Sequence, residues 1–238
     1  MLNPIEEAKF DELKSMCRAL RVPAPPEIMI GLKVHDRDGV LTFDDVQRGH
    51  SWTRNFWNWF YSITTDSPGD ASGLFGAGKM SEKQVDGTIY SSATYGCGRY
   101  LNAELYAGTG YFGELNSTAQ GIVVGTSDTA FSVEQYGLIG LIESGVTAGL
   151  LSYQASIKAV ATYTGTTWKA THVRIFNNNS GGSITVKEAG LHFYALPFNS
   201  NPFSTLFERS VLSPTVAVAN GAQLTVTYQI SMDFSAID

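Results

Sequence analysis

The sequence predicts a mainly β protein, an antiparallel β-sandwich or jelly-roll-like domain with a short N-terminal helix and one aromatic-rich helix. Three observations carry this. Leu224, Val226, Tyr228, Ile230, Met232 and Phe234 alternate with Thr225, Thr227, Gln229, Ser231 and Asp233, the period of two that gives a strand one apolar and one polar face. Strand-like runs recur through the second half with turn residues between them and no helical pattern. Gly is abundant, at 24 of 238 residues, and only 16% of residues are charged, against about 25% in typical domains. Low charge also suits a surface covered by other subunits, because interface cores are depleted in charge.

The N-terminal helix is read over residues 2–21. Asn3 can cap it, Pro4 suits its first turn, and Glu6 and Glu7 favour its positive end. Ile5, Phe10, Leu13, Cys17 and Leu20 recur at helical spacing. Val22-Pro23-Ala24-Pro25-Pro26 then stops the helix and stiffens the chain. Residues 1–26 therefore read either as a docking arm on a tether or as a helix packed on its own domain. The candidate interface residues here are Ile5, Phe10, Leu13 and Leu20.

Residues 27–238 form the β-rich remainder, in three parts. Within 27–63, a hairpin runs over residues 27–46. Ile28, Ile30, Leu32 and Val34 alternate, Asp36-Arg37-Asp38-Gly39 turns, and Val40, Leu41 and Phe43 return. The DxDG string lacks the rest of a calcium loop. An aromatic helix is expected next, capped by Ser51, with Trp52, Phe56, Trp59, Phe60 and Ile63 on one side and Trp57 and Tyr61 widening it. Trp52, Phe56, Trp57 and Trp59 complete the candidate interface residues, as a core or interface plug or a ligand platform. Residues 64–120 read as loop-rich, with strands expected at 86–94 and 98–107.

Over 121–238 the strand pattern is clear. Gly121-Ile122-Val123-Val124-Gly125-Thr126 is an apolar strand. Residues 148–163 and 168–176 pair through Thr164-Gly165-Thr166-Thr167, and 183–195 follow a polar turn, with Ala189-Gly190 a bulge or close approach. Asn220-Gly221 is expected to be a hairpin turn between Val216–Val218 and the last strand.

No cofactor signature is present. Gly73-Leu74-Phe75-Gly76-Ala77-Gly78-Lys79 is followed by Met80 where a phosphate-binding loop needs Ser or Thr. His35, His50, His172 and His192 lack metal spacing, although His172 and His192 could meet across neighbouring strands. No GxSxG occurs. Cys17 and Cys97 share no motif. The net charge of −6 argues against nucleic acid, and no apolar run approaches the ~18 residues of a membrane span. The acidic start lacks the pattern of an export signal.

Three passages resemble uncharacterised structural proteins of tailed bacteriophages. They are Gly31-Leu32-Lys33-Val34 with Ser51-Trp52-Thr53-Arg54-Asn55-Phe56; Gly121–Thr126 with Asn178-Asn179-Ser180-Gly181 and Ile184–Leu191; and Glu208-Arg209-Ser210-Val211-Leu212 through Val218–Tyr228. The resemblance covers residues 27–63 and 121–232 and supplies no catalytic residues. It implies a virion component, made in the host cytoplasm: a capsid decoration or cement protein, a neck or tail accessory, or a receptor-binding tail module. It further implies homo-oligomers, as trimers or hexamers, and major capsid or neck/tail proteins as partners, which suits repeated packing around symmetry axes. Two other classes remain beside it. A host-glycan binder would need exposed tryptophans, and a polysaccharide hydrolase would need two converging carboxylates.

Overall fold

The computed structural model describes residues 4–22, 26–49, 51–58, 80–93, 111–195 and 203–235. Strand outweighs helix, 49% to 13%, so the chain is mainly β. Helix α1 spans Pro4–Leu20. The strands are β1 Glu27–His35, β2 Leu41–Gly49, β3 Met80–Lys83, β4 Ile89–Ala93, β5 Gly121–Gly125, β6 Ser152–Tyr153, β7 Ile157–Thr164, β8 Thr167–Asn177, β9 Ile184–Ala195, β10 Phe203–Val218 and β11 Gln223–Asp233. The large sheet runs β2-β1-β11-β8, with β6 and β7 both pairing β8; the small sheet runs β10-β9-β5; β3 and β4 pair apart.

The alternation in β11 explains its central place. Leu224, Val226, Tyr228 and Ile230 are buried on one face, in register with Val34, Leu32, Ile30 and Ile28 of β1. Val186, Ala189, Leu191, Leu212, Val216 and Val218 of the small sheet belong to the same core. Each Val, Leu or Ile among them contributes roughly 1.5–3 kcal/mol of gross burial. Phe56, Phe193, Phe203 and Phe207, with Trp52 and Tyr111 against them, form a second cluster. Gly190 allows a close approach: a Cβ there would lie 2.8 Å from the Glu208 carbonyl oxygen.

Several local expectations are corrected. Asn220-Gly221 is not a hairpin turn, because β10 and β11 lie in different sheets. Gly221 has φ +83° while Asn220 is not left-handed, so the turn lacks the double positive φ that folds a strand back on its neighbour. Buried Asn178 ties this crossing to the β8–β9 crossing, donating to the Gly182 and Val218 carbonyls. His172 and His192 do not meet across a sheet, since β8 and β9 also lie in different sheets. Ser51 is not a helix cap. Helix covers residues 54–58, Thr53 accepts from the Trp57 amide, and Trp52 instead bridges Glu208. The strand expected over 86–94 is half of the β3–β4 hairpin. Trp59, the rest of the aromatic helix and the strand expected at 98–107 lie outside the described residues.

Candidate interaction surfaces and the buried ionic groups

Arg174 occupies an inward position of β8, between His172 and Phe176, and is fully buried. Five main-chain carbonyls surround its guanidinium. Nε donates to Gln154 (2.8 Å), Nη1 to Gln120 and Ile122 (both 2.9 Å), and Nη2 to Glu114 (2.6 Å) and Ser117 (2.8 Å). Its Cζ lies 4.9 Å from the centroid of the Tyr153 ring. Gly113 makes room, because a Cβ there would sit 2.5 Å from Cζ. Burial lowers the Arg174 pKa to about 10, which leaves it a cation at neutral pH. It thus fastens the 111–122 loop to the large sheet.

A second group lies on the small sheet. Arg209 Nε donates to Glu188 Oε2 at 2.5 Å, and both side chains are fully buried. Arg209 Nη2 donates to the Thr129 carbonyl and Nη1 to Gln135, while Glu188 Oε1 accepts from the Gly140 amide. Both polar ends are therefore satisfied, as a buried pair requires. Glu208 is different. Burial pushes its pKa up to about 8, so it is a neutral acid at pH 7. Ser210 donates to its Oε1, whereas Oε2 and the neighbouring Tyr228 hydroxyl make no hydrogen bond of good geometry. Burial raises Tyr228 as well. His172 and His192 are both lowered to about 4 by burial. His192 Nδ1 lies 2.8 Å from the Thr118 carbonyl, so the neutral ring carries its proton there. These groups are sealed from solvent or nearly so, and their chemistry is that of holding segments together.

The surface of α1 is the reverse case. Arg48 of β2 donates twice to Glu7, from Nε at 2.9 Å and Nη2 at 2.7 Å, and also pairs with Glu27 of β1. Its guanidinium lies 4.0 Å from the centroid of Phe10. Arg48, Met29 and Glu27 are neighbours in register with the outward side of the large sheet, so α1 is clamped there. A Schellman motif ends the helix: Val22 donates to Cys17 and Arg21 to Arg18, with Arg21 at φ 54°. The clamp turns Phe10 and Cys17 inward. Ile5 (68% exposed), Leu13, Met16 and Leu20 (70%) face solvent, within about 80° of arc around the helix.

Trp52 and Phe56 stack at 3.8 Å against the second aromatic cluster, so both serve the chain's own core. Trp57 is exposed at its edge. A further apolar area, not singled out by the sequence, lies at the β7–β8 end. Met232, Trp168 and Tyr163 are in register across β11, β8 and β7, on the face that carries Ile230 and Tyr228. Tyr163 is 63% exposed and Trp168 37%, and Phe234 stacks on Tyr163 at 6.5 Å. The exposure of Tyr163 and Trp168 marks this end as an overhang of the large sheet.

No family model, curated protein or solved structure matches the chain. Among the described residues no group of three or more His, Cys, Asp or Glu is placed to hold a metal. No described helix is long and apolar enough to cross a membrane.

Proposed function

We propose that the chain is a non-enzymatic structural component of a tailed-phage virion, self-assembling and docking onto other virion proteins, foremost as capsid decoration or cement on the head exterior. The observation that carries this reading is the apolar stripe of α1, held outside a low-charge β-sandwich by an ionic clamp. A monomer in water gains nothing from such a stripe, whereas a subunit in a shell buries it. Many such contacts repeated over a lattice give avidity without one tight site. The sealed ionic groups support a scaffold over an enzyme, because Glu188 and Glu208 would have to leave the interior to reach a substrate.

The test is the copy number of the chain in purified particles, by mass spectrometry against the major shell protein. Hundreds of copies are expected for decoration. A small multiple of a symmetry number would move it to the neck, tail or baseplate. Absence from particles would overturn the reading. The exposed rings of Trp57, Trp168 and Tyr163 support a second reading, a host-glycan-binding tail module. Quenching of tryptophan emission by host polysaccharide would favour it.

A further inference from the structure

The contact between α1 and the large sheet is unlike that of a core helix. A core helix turns its apolar stripe inward, whereas Ile5, Leu13, Met16 and Leu20 of α1 are exposed and its closing face is ionic. Among the described residues that face is made by Arg48, which donates twice to Glu7, pairs with Glu27 and lies over the Phe10 ring, and by Lys14, 3.9 Å from Glu27. The side chains of Glu7, Lys14 and Glu27 keep 31%, 27% and 22% of their exposure. Only two small groups at this closure are buried, Cys17 of the helix and Ser231 of β11. Ser231 is in register with Glu27 and alternates with buried Ile230, so it belongs to the outward face on which α1 sits.

We propose that α1 is a strap that opens and closes on an otherwise folded sandwich, with Arg48 as its catch. Opening strands no charge. Arg48 keeps Glu27, and Glu7 and Lys14 pass into water from partly exposed positions, an exchange of protein for water contacts with a small net cost. The strap is also self-contained. Val22 and Arg21 close its last turn on Cys17 and Arg18, while the ladders of β1 to β11 and β2 start at Glu27 and Ile28. No sheet hydrogen bond of the described residues therefore opens with it. Between the two, three of the five residues 22–26 are prolines, which have no amide N–H to tie to a neighbour. A freed helix of 17 residues is marginal in water, so the open strap loses helix together with contact and acts as a local unfolding unit. This inference does not rest on the virion reading: the strap is tested on the isolated chain, the virion reading on particles.

The test is alkylation of Cys17 by iodoacetamide in the full chain, read separately from Cys97 by peptide mass spectrometry, beside amide exchange of β1, β8 and β11. Wild-type Cys17 is expected to react well before the β11 amides exchange. Arg48→Met should speed its reaction about ten-fold and Glu7→Gln about three-fold, with exchange of the three strands unchanged. Raising sodium chloride to about 1 M, where the Debye length falls to about 3 Å, should speed the wild type several-fold and Arg48→Met far less. Alkylation only as fast as β11 exchange would make α1 part of the core and overturn the strap. Equal rates in wild type and variants, or no response to salt, would overturn Arg48 as its catch. Should Arg48→Met lose its β circular dichroism, Glu7→Gln decides the outcome alone, because Glu7 lies in no strand.

Discussion

The middle of the sandwich and its β7–β8 end place polarity in opposite ways. In the middle, Arg174, Arg209 and Glu188 are charged groups without water, each ringed by hydrogen-bond partners from loops that cover the sheets. At the end, the rings of Trp168 and Tyr163 are partly exposed to water, and so are the aliphatic side chains of Ile5 and Leu20 on the helix across the sheet. The interior is complete in one copy, and its buried charges fix which loop goes where. The end leaves apolar side chains exposed. Substitutions at the two regions should therefore sort into those that unfold the chain and those that leave it folded.

The largest effect is expected at Arg174. Arg174→Met removes five donors at once and strands carbonyls of Glu114, Ser117, Gln120, Ile122 and Gln154. A loss of about 3–5 kcal/mol is expected from breaking such a buried cation site, read as a lower denaturant midpoint. Arg174→Lys should not rescue it, because a point ammonium cannot reach five oxygens spread around a planar fork. Retention of wild-type stability in either variant would show that the 111–122 loop is held by other means.

Breaking the Arg209–Glu188 pair should cost nearly as much from either side. Glu188→Gln leaves a guanidinium without its carboxylate, and Arg209→Met leaves a buried carboxylate. Each is expected to lose about 3 kcal/mol, and the double variant should lose clearly less than their sum. Strict additivity in a double-mutant cycle would mean that the two groups act independently despite their contact.

Much of the framework is legible in the sequence, and the reason is local. β1 and β11 have period-two patterns in which the buried members, Ser231 aside, are those with the apolar side chains. The helix is legible too, in Ile5, Leu13 and Leu20. The clamp is not, so Phe10 reads as one more candidate interface residue alongside Ile5, Leu13 and Leu20 although it faces Arg48. Arg174 escapes because an arginine beside Val173 reads as a solvent-facing residue, and its acceptors lie 20 to 60 residues away in the chain. The Asn220-Gly221 crossing escapes because dipeptide identity does not fix the φ of Asn220. The β7–β8 end escapes because Tyr163 and Trp168 alternate properly; only their exposure in the structure sets them apart from the buried members of the same face.

Titration sharpens the interior half of the comparison with a smaller effect. The folded chain holds His172 and His192 neutral down to about pH 4, whereas unfolded imidazoles protonate near 6.5. The unfolded state binds more protons between those values, so stability falls as pH drops through that window. Glu208 acts at the other side. Its folded carboxyl keeps its proton to about pH 8, while the unfolded one loses it near 4.3. Its contribution is complete below the unfolded value and is lost as pH rises to about 8. Glu208→Gln keeps the shape without the titration, so the alkaline decline should flatten by on the order of 2 kcal/mol. An unchanged slope of stability between pH 5 and 9 would assign that decline to another group.

The smallest effect on folding is expected at α1, and it decides whether the helix belongs to the core or to the assembly. Deleting residues 1–22 removes the Glu7–Arg48 and Lys14–Glu27 contacts, which involve partly exposed carboxylates of the kind that contribute at most about 1 kcal/mol each. Of the helix's apolar side chains only Cys17 is buried. Arg48 keeps Glu27 as a partner, so the truncation leaves no charge stranded. The truncated chain is therefore expected to unfold within about 2 kcal/mol of the full chain, with hydrogen-exchange protection of β1, β8 and β11 intact, while the attachment to the particle proposed above weakens. A truncated chain that fails to fold would make α1 part of the core and overturn its reading as a docking arm.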